Sequence, residues 1–276
     1  MNAVELRAGP ASVRIFPDEG GRLGQIEVDG TRLLRGEEFA SLGWSQWGSY
    51  PLLPWSNRIP GGRFTFDGRV CQVPVNRDDN TAIHGLVAWV PWSLVAADER
   101  SATIEVRATE GCYDVLGSQT FTVSPTHLDQ TLAVTNLSDA VVPVGLGIHP
   151  WFVAGEVRVP ADRMWPGDTP IPTGPPVLVD AGHDLRTPRV PPPMDRCFTE
   201  LSGTTAEVPG LHLSWTGPVT QIVVYSGTPG WVCVEPVTMA NDGFGLAERG
   251  IDGHGVVGLS PGETCAVAYR FAWSAS

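Results

Sequence analysis

V-V-P-V-G-L-G-I-H-P-W-F, from Val141 to Phe152, is an apolar run interrupted by Pro143, Gly145 and Gly147. Such a run reads as a buried strand. It is expected to stop at His149, because Pro150 cannot donate to a ladder and steers the residue before it away from helical geometry. An imidazole is then delivered at a strand end, beside the rings of Trp151 and Phe152. This suits a proton carrier, since the ring titrates near neutrality and flat aromatic faces keep water away. The same ring could equally be a core histidine with both nitrogens satisfied.

The rest of the chain extends the strand reading. Of its 276 residues 42% are hydrophobic, ample for a large core, and the 32 glycines and 25 prolines follow no period. Turn residues recur every ten or so positions, which favours many short strands over helices. The expectation is an all-β protein, one domain over residues 1–276, with few short helices and a helical turn or two near Ala240 to Ala247. The pattern S-V-R-I-F, a turn at Asp18 to Gly21, L-G-Q-I-E-V, Asp29-Gly30 and T-R-L-L reads as a hairpin region. A second Asp-Gly hairpin is expected at Asp67-Gly68, between Arg63 to Phe66 and Arg69 to Val73. Further strands are expected over Trp92 to Ala96, Thr103 to Ala108, Gln119 to Val123 and Leu128 to Thr135, pairing antiparallel with their neighbours. Glu37 to Pro54, rich in Trp, Gly and Ser, reads as a long aromatic loop. The proline-laden stretch from Pro160 to Pro193 reads as an extended surface loop.

Charge and composition exclude several partners. The formal charge of -12 argues against nucleic acid or an anionic membrane and leaves a neutral ligand as the easier partner. No lysine occurs, which removes Schiff-base chemistry, a pyridoxal-phosphate anchor and a phosphate-loop lysine together. Cys71, Cys112, Cys197, Cys233 and Cys265 form no C-x-x-C pair, and read as small buried hydrophobes in a reducing compartment rather than as disulfides or zinc ligands. M-N-A-V-E-L-R lacks an apolar signal core and no run of about 18 apolar residues is present, so the expectation is cytoplasmic.

Five further positions carry candidate chemistry. Asn57 and Arg58 lie between Pro54 and Pro60, where an arginine fork could bind ring or hydroxyl oxygens or be an ordinary surface charge. His84 precedes Gly85, which lets backbone approach closely. Asp195 reads as a turn residue or a neighbour of Arg196. Glu235 ends the apolar run Trp231 to Val234, before Pro236; a carboxylate leaving a buried strand costs desolvation unless it is used, so it is the candidate base.

Taken in order, N-R-I-P-G-G-R-F at Asn57 to Phe64, I-H-G at Ile83 to Gly85, I-H-P-W-F at Ile148 to Phe152, M-D-R-C-F at Met194 to Phe198 and C-V-E-P-V-T at Cys233 to Thr238 resemble the aldose 1-epimerase (galactose mutarotase) family. L-S-P-G-E at Leu259 to Glu263 is similar to the turn before that family's last strand. The resemblance implies a large antiparallel β-sandwich of the galactose mutarotase type with an open cleft. It implies Glu235 as general base, His149 as general acid and Arg58, His84 and Asp195 as sugar-binding residues, with Asn57 beside them. Trp151 stands where the galactose enzymes usually carry a tyrosine, so stacking is expected there. Thr228 stands where the family has a glutamine, which puts galactose specificity in doubt.

The chemistry suits these residue types. Exchange of α and β anomers needs a base for the C1 hydroxyl and an acid for the ring oxygen, and mutual attraction is expected to keep both residues charged near neutral pH, on opposite sides of one pyranose. No cofactor or metal is required, and the protein is expected as a monomer or homodimer acting on a small sugar. Two other readings remain: a carbohydrate-binding or sensing protein without chemistry, and a hexose-6-phosphate 1-epimerase drawing on Arg63, Arg69 and Arg77. A metal site built from His84, His149, Asp195 and Glu235 lacks the tight H-x-H spacing such sites often have.

Overall fold

The computed structural model describes residues 1–273. About 50% of the chain is strand and 5% helix. Local turn chemistry accounts for the hairpins. Asp29 and Gly30 have φ of 48° and 77°, and Asp67 and Gly68 have 49° and 73°, the pair of left-handed residues that a two-residue turn needs to match strand twist. They join Arg22–Val28 to Thr31–Arg32 and Arg63–Phe66 to Arg69–Gln72.

Two large antiparallel sheets form the framework. The larger has eleven strands. Its spatial order is Val4–Ala8, Ala11–Phe16, Arg22–Val28, Ser49–Leu52, Gly147–Val153, Trp231–Val237, Gln221–Tyr225, Asp195–Leu201, Ala161–Met164 and Val177–Leu178, with Thr31–Arg32 paired beside Arg22–Val28. The smaller sheet has seven strands, from Ser93–Ala97 through Ser101–Glu110, Tyr113–Val123, His127–Asn136, Thr264–Ala272 and Leu211–Thr216 to Thr205–Val208. The main core draws on both, with Val13 and Ile15 from the larger sheet and Phe121, Leu132 and Phe271 from the smaller one. This is the expected β-sandwich, and the one α-helix among the described residues, Gly243–Glu248, lies where a helical turn was expected.

Strand alternation divides the central strands between two environments. Ile148, Phe152, Val232 and Val234 face the main core, whereas Trp151, Cys233 and Val237 belong to a second cluster with Tyr50, Leu52, Cys197 and Val223. Successive side chains point to opposite faces, so this second cluster occupies the other face of the larger sheet. It is the floor on which the candidate site is built.

Several expectations are corrected. Ser49–Leu52, inside the stretch read as a loop, is a central strand, fully buried and therefore without the period-two signature of a half-exposed strand. The strand Gly147–Val153 does not stop at His149 but runs through Pro150, and Trp231–Val237 likewise runs through Pro236. Within Pro160 to Pro193, Ala161–Met164 and Val177–Leu178 are short strands at the sheet edge. Asp195 opens a strand rather than a turn.

Cys71 and Cys112 form a disulfide, which corrects the reading of all five cysteines as free and removes their support for a reducing compartment. The bond joins the Arg69–Gln72 hairpin strand to the turn before Tyr113–Val123, and Cys197, Cys233 and Cys265 are free and buried. Among the described residues no helix is long and apolar enough to cross a membrane.

A cross-link spanning 41 residues stabilises mainly by restricting the unfolded chain, by about 4 kcal/mol. Cys112→Ser is expected to lower Tm by about 8 to 16 °C in differential scanning calorimetry; an unchanged Tm would show that the bond contributes nothing.

Candidate active site

Register decides the centre of the site. Gly147 pairs with Val237 and Trp151 with Cys233, which sets His149 across from Glu235 with both side chains on the outer face. Between those pairs no ladder contact joins the two strands. Pro150 and Pro236 fall in this interval and have no N–H to donate. His149 Nε2 lies 3.2 Å from Glu235 Oε1, and the two side chains are 8% and 2% exposed.

Burial works against the charge of both members of this contact. Desolvation pushes the His149 imidazole down to about 3, with Arg22 and Arg77 also opposing its protonation. The Glu235 carboxyl is pushed well above its ordinary value, first by burial and then by the charge of Asp195, with Arg58 working the other way. Burial therefore opposes the charged pair that the sequence led one to expect. The pair favours an uncharged state with one proton held between imidazole and carboxyl. The two groups also sit side by side, not on opposite sides of a sugar-sized gap.

All seven candidate residues, Asn57, Arg58, His84, His149, Trp151, Asp195 and Glu235, line one cavity of about 180 Å³. Asn57 turns the chain with φ of 54°; its side-chain oxygen accepts from Arg58 N at 2.9 Å, and its carbonyl accepts from His84 N at 3.0 Å. That bond ties two distant candidate residues together. Gly85 must be glycine, since a Cβ there would lie 1.9 Å from the Leu53 carbonyl oxygen. His84 is buried, held well below its ordinary pKa chiefly by desolvation, and edge-on to His149 with ring centres 5.1 Å apart. Arg58 reaches Asp79 at 3.2 Å and Asp195 at 3.7 Å, so it is an organised group rather than a free surface charge. Burial raises the Asp195 carboxyl, against the pull of Arg58 and Arg196. Trp151 anchors its Nε1 to the Ser45 carbonyl at 3.1 Å and tilts against the His149 ring at 5.7 Å.

Sequence reasoning missed Ser45, Gln46, Tyr50, Ile83 and Tyr225, which complete the lining with Arg77, considered there only for a phosphate. Tyr50 stacks on His149 at 4.6 Å and 20°; its place in the Trp-rich segment was a signal, but reading that segment as a loop hid it. Thr228 does not line the cavity and instead lies 3.2 Å from the Tyr225 hydroxyl. Arg22 had no signal at all. It is buried, and its guanidinium donates to the carbonyls of Glu19, Trp44, Trp47 and Ala88 while lying over the Trp47 ring at 4.4 Å. One cation thus fastens the 44–47 and 88 segments that flank the cavity. The metal donor set also differs from the one considered: His149, Cys233 and Glu235 offer ligand atoms within 4.8 Å of one another, and His84 and Asp195 do not join them.

Comparisons with known proteins place this geometry in context. Uncharacterised YphB of Escherichia coli K12 is 31% identical over 147 residues, 52% of this chain and 50% of YphB. Uncharacterised YihR of the same organism is 32% identical over 113 residues, 39% of this chain and 37% of YihR. The matched stretches thus span half or less of these curated relatives. A crystal structure from E. coli K12, named as a candidate aldose 1-epimerase, superposes with a TM-score of 0.87 at 23% identity over 99% of both chains. A galactose mutarotase-like protein from Clostridium acetobutylicum gives 0.84 at 20% identity, over 99% of this chain and 95% of that one. At such identities these structures establish a shared fold. The profile of the family described as aldose 1-epimerase matches residues 2–232, the whole site short of Cys233 and Glu235, and with that span and this fold the chain belongs to the aldose 1-epimerase family.

Proposed function

We propose that this chain is a mutarotase that exchanges the α and β anomers of an aldose, with Glu235 as general base and His149 as general acid. The observation that carries the reading is their contact at 3.2 Å on the floor of a polar, sugar-sized cavity. The C1 hydroxyl oxygen and the ring oxygen are both bonded to C1, so a sugar presents them one bond angle apart. Two proton carriers side by side suit that edge better than carriers on opposite faces.

The step runs as follows. The bound sugar donates its C1 hydroxyl to Glu235 and offers its ring oxygen to His149. These hydrogen bonds stabilise the ionic form of the pair, which burial alone disfavours, so the shared proton moves from carboxyl to imidazole. Glu235 takes the C1 hydroxyl proton as the C1–oxygen double bond forms. The bond from C1 to the ring oxygen breaks, and that oxygen takes the proton from His149. The open aldehyde rotates about C1–C2, and reclosure on the other face returns both protons. Each group ends as it began, with no net change in redox state. Asn57, Arg58, His84 and Asp195 are assigned to the remaining hydroxyls, and Trp151 to stacking.

A second reading, an aldose bearing an anionic substituent such as a 6-phosphate, is supported by Arg77, which lines the cavity without an ion-pair partner among the described residues. Arg63 and Arg69 lie on the hairpin and do not line it. The non-catalytic reading is less well supported, since a buried carboxyl against a buried imidazole is a costly way merely to hold a neutral sugar.

Polarimetry on freshly dissolved α-anomers, run over a panel of aldoses and their 6-phosphates, tests the proposal. Glu235→Gln and His149→Asn are each expected to lower kcat by about 10² to 10⁴, and the double variant to be little worse than the poorer single one, as for groups that act as a unit. Undiminished exchange in both variants would end the assignment. The pH profile is a separate check. The active form carries one proton on the pair, so kcat/KM should hold as pH falls through the ordinary histidine range and decline on the alkaline side, where that proton is lost. Asp195 raises the Glu235 carboxyl, so Asp195→Asn should move the alkaline limb to lower pH; a limb that stays or rises would contradict the electrostatics.

A further inference from the structure

A second concavity adjoins the first. It is a groove of about 600 Å³, roughly three times the catalytic cavity. Three short segments line both: Ser45, Gln46, Arg77 and His84 face the cavity, while their near neighbours Trp44, Asn76 and Leu86 face the groove.

Trp44 is the partition. Its ring lies edge-on to Tyr50 at 5.6 Å and to His84 at 6.4 Å on the cavity side, and 4.8 Å from Trp89 on the groove side. Since Tyr50 stacks on His149, an unbroken series of rings leads from the candidate acid to the groove. Trp89 is 37% exposed, a large indole left in solvent. The rest of the lining includes apolar Leu86, Val90, Pro91 and Ala108.

The rim is polar in a particular way. Arg107 donates Nε and Nη2 to Asp114 at 2.8 and 2.7 Å, and its Nη1 has no partner among the described residues. Glu110 has no side-chain partner among the described residues and lines the same groove. A donor and an unpaired acceptor around indole faces match a pyranose, which has an apolar C–H face and a ring of hydroxyls. A purely apolar occupant would leave Arg107 and Glu110 unused, and an anionic one would meet Glu110.

We infer that the groove is a second glycosyl subsite, so that the substrate is a reducing disaccharide or longer oligosaccharide, its reducing aldose in the catalytic cavity and its next unit against Trp44 and Trp89. The assignment of the reducing unit rests on the mutarotase reading; the binding of the distal unit does not. Tethering makes the distal contact intramolecular, so a modest stacking contact raises kcat/KM.

The test uses the full chain with maltose, cellobiose and lactose as probes beside glucose and galactose. At least one disaccharide is expected to be exchanged with kcat/KM about tenfold above its own reducing monosaccharide. Trp89→Ala should abolish that advantage and leave monosaccharide kcat/KM within about twofold; Trp89→Phe should restore part of it. Ala108→Trp, which fills the groove from the strand Ser101–Glu110, should have the same selective effect. Lack of preference for any disaccharide, or equal losses on both substrate sizes in the two variants, would overturn the subsite. Titration calorimetry of the wild type and Trp89→Ala with the same sugars separates the two claims. Disaccharide binding weakened by Trp89→Ala, without exchange of any sugar, would keep the groove and overturn the mutarotase reading. Monosaccharide exchange without disaccharide binding would do the reverse.

Discussion

The site depends on one constraint, the register between the strands Gly147–Val153 and Trp231–Val237. With Gly147 against Val237 and Trp151 against Cys233, His149 and Glu235 become cross-strand neighbours on the same face. A slip of one residue on either strand would turn one of them into the main core. The register is held by what lies on the two faces: Ile148, Phe152, Val232 and Val234 inward, Trp151, Cys233 and Val237 outward. Pro150 and Pro236 sit where the ladder lapses. They remove donors that would otherwise be buried without partners beside the pair, and so belong to the same arrangement.

Electrostatics follows from that position. A carboxyl and an imidazole sunk between stacked rings lose their hydration, and neither can keep a charge without new partners. The reactive form is therefore reached only when a ligand supplies hydrogen bonds, which couples proton transfer to binding. The walls are held by other means. Arg22 ties loop carbonyls, and Asn57 ties its own segment to His84. Of the residues proposed to hold the ligand, Arg58, Trp151 and Asp195 stand on strands, while Asn57 and His84 lie just outside them.

Much of this was legible in the sequence, for physical reasons. The Asp-Gly hairpins, the all-β class and the alternating strands of the smaller sheet follow from local backbone chemistry. The seven candidate residues were found because short motifs kept their order, and all seven line one cavity. What stayed hidden depends on tertiary context. Ser49–Leu52 is buried on both faces and carries no alternation. The prolines in two central strands looked like stops because a sequence does not reveal where a ladder will lapse. The Cys71–Cys112 pairing joins segments that only folding brings together. Arg22 resembles any surface arginine until four carbonyls are found around it.

The central claim is that burial holds His149 uncharged against Glu235, the pair keeping one shared proton. Nitrogen-15 NMR of the imidazole rings, with His149 assigned by its loss in His149→Asn, measures this directly in the ligand-free protein. The account predicts a neutral ring from about pH 5 to 8, the interval in which an ordinary histidine changes charge. A His149 signal that titrates near the ordinary value of 6.5, or that is imidazolium throughout, would contradict it.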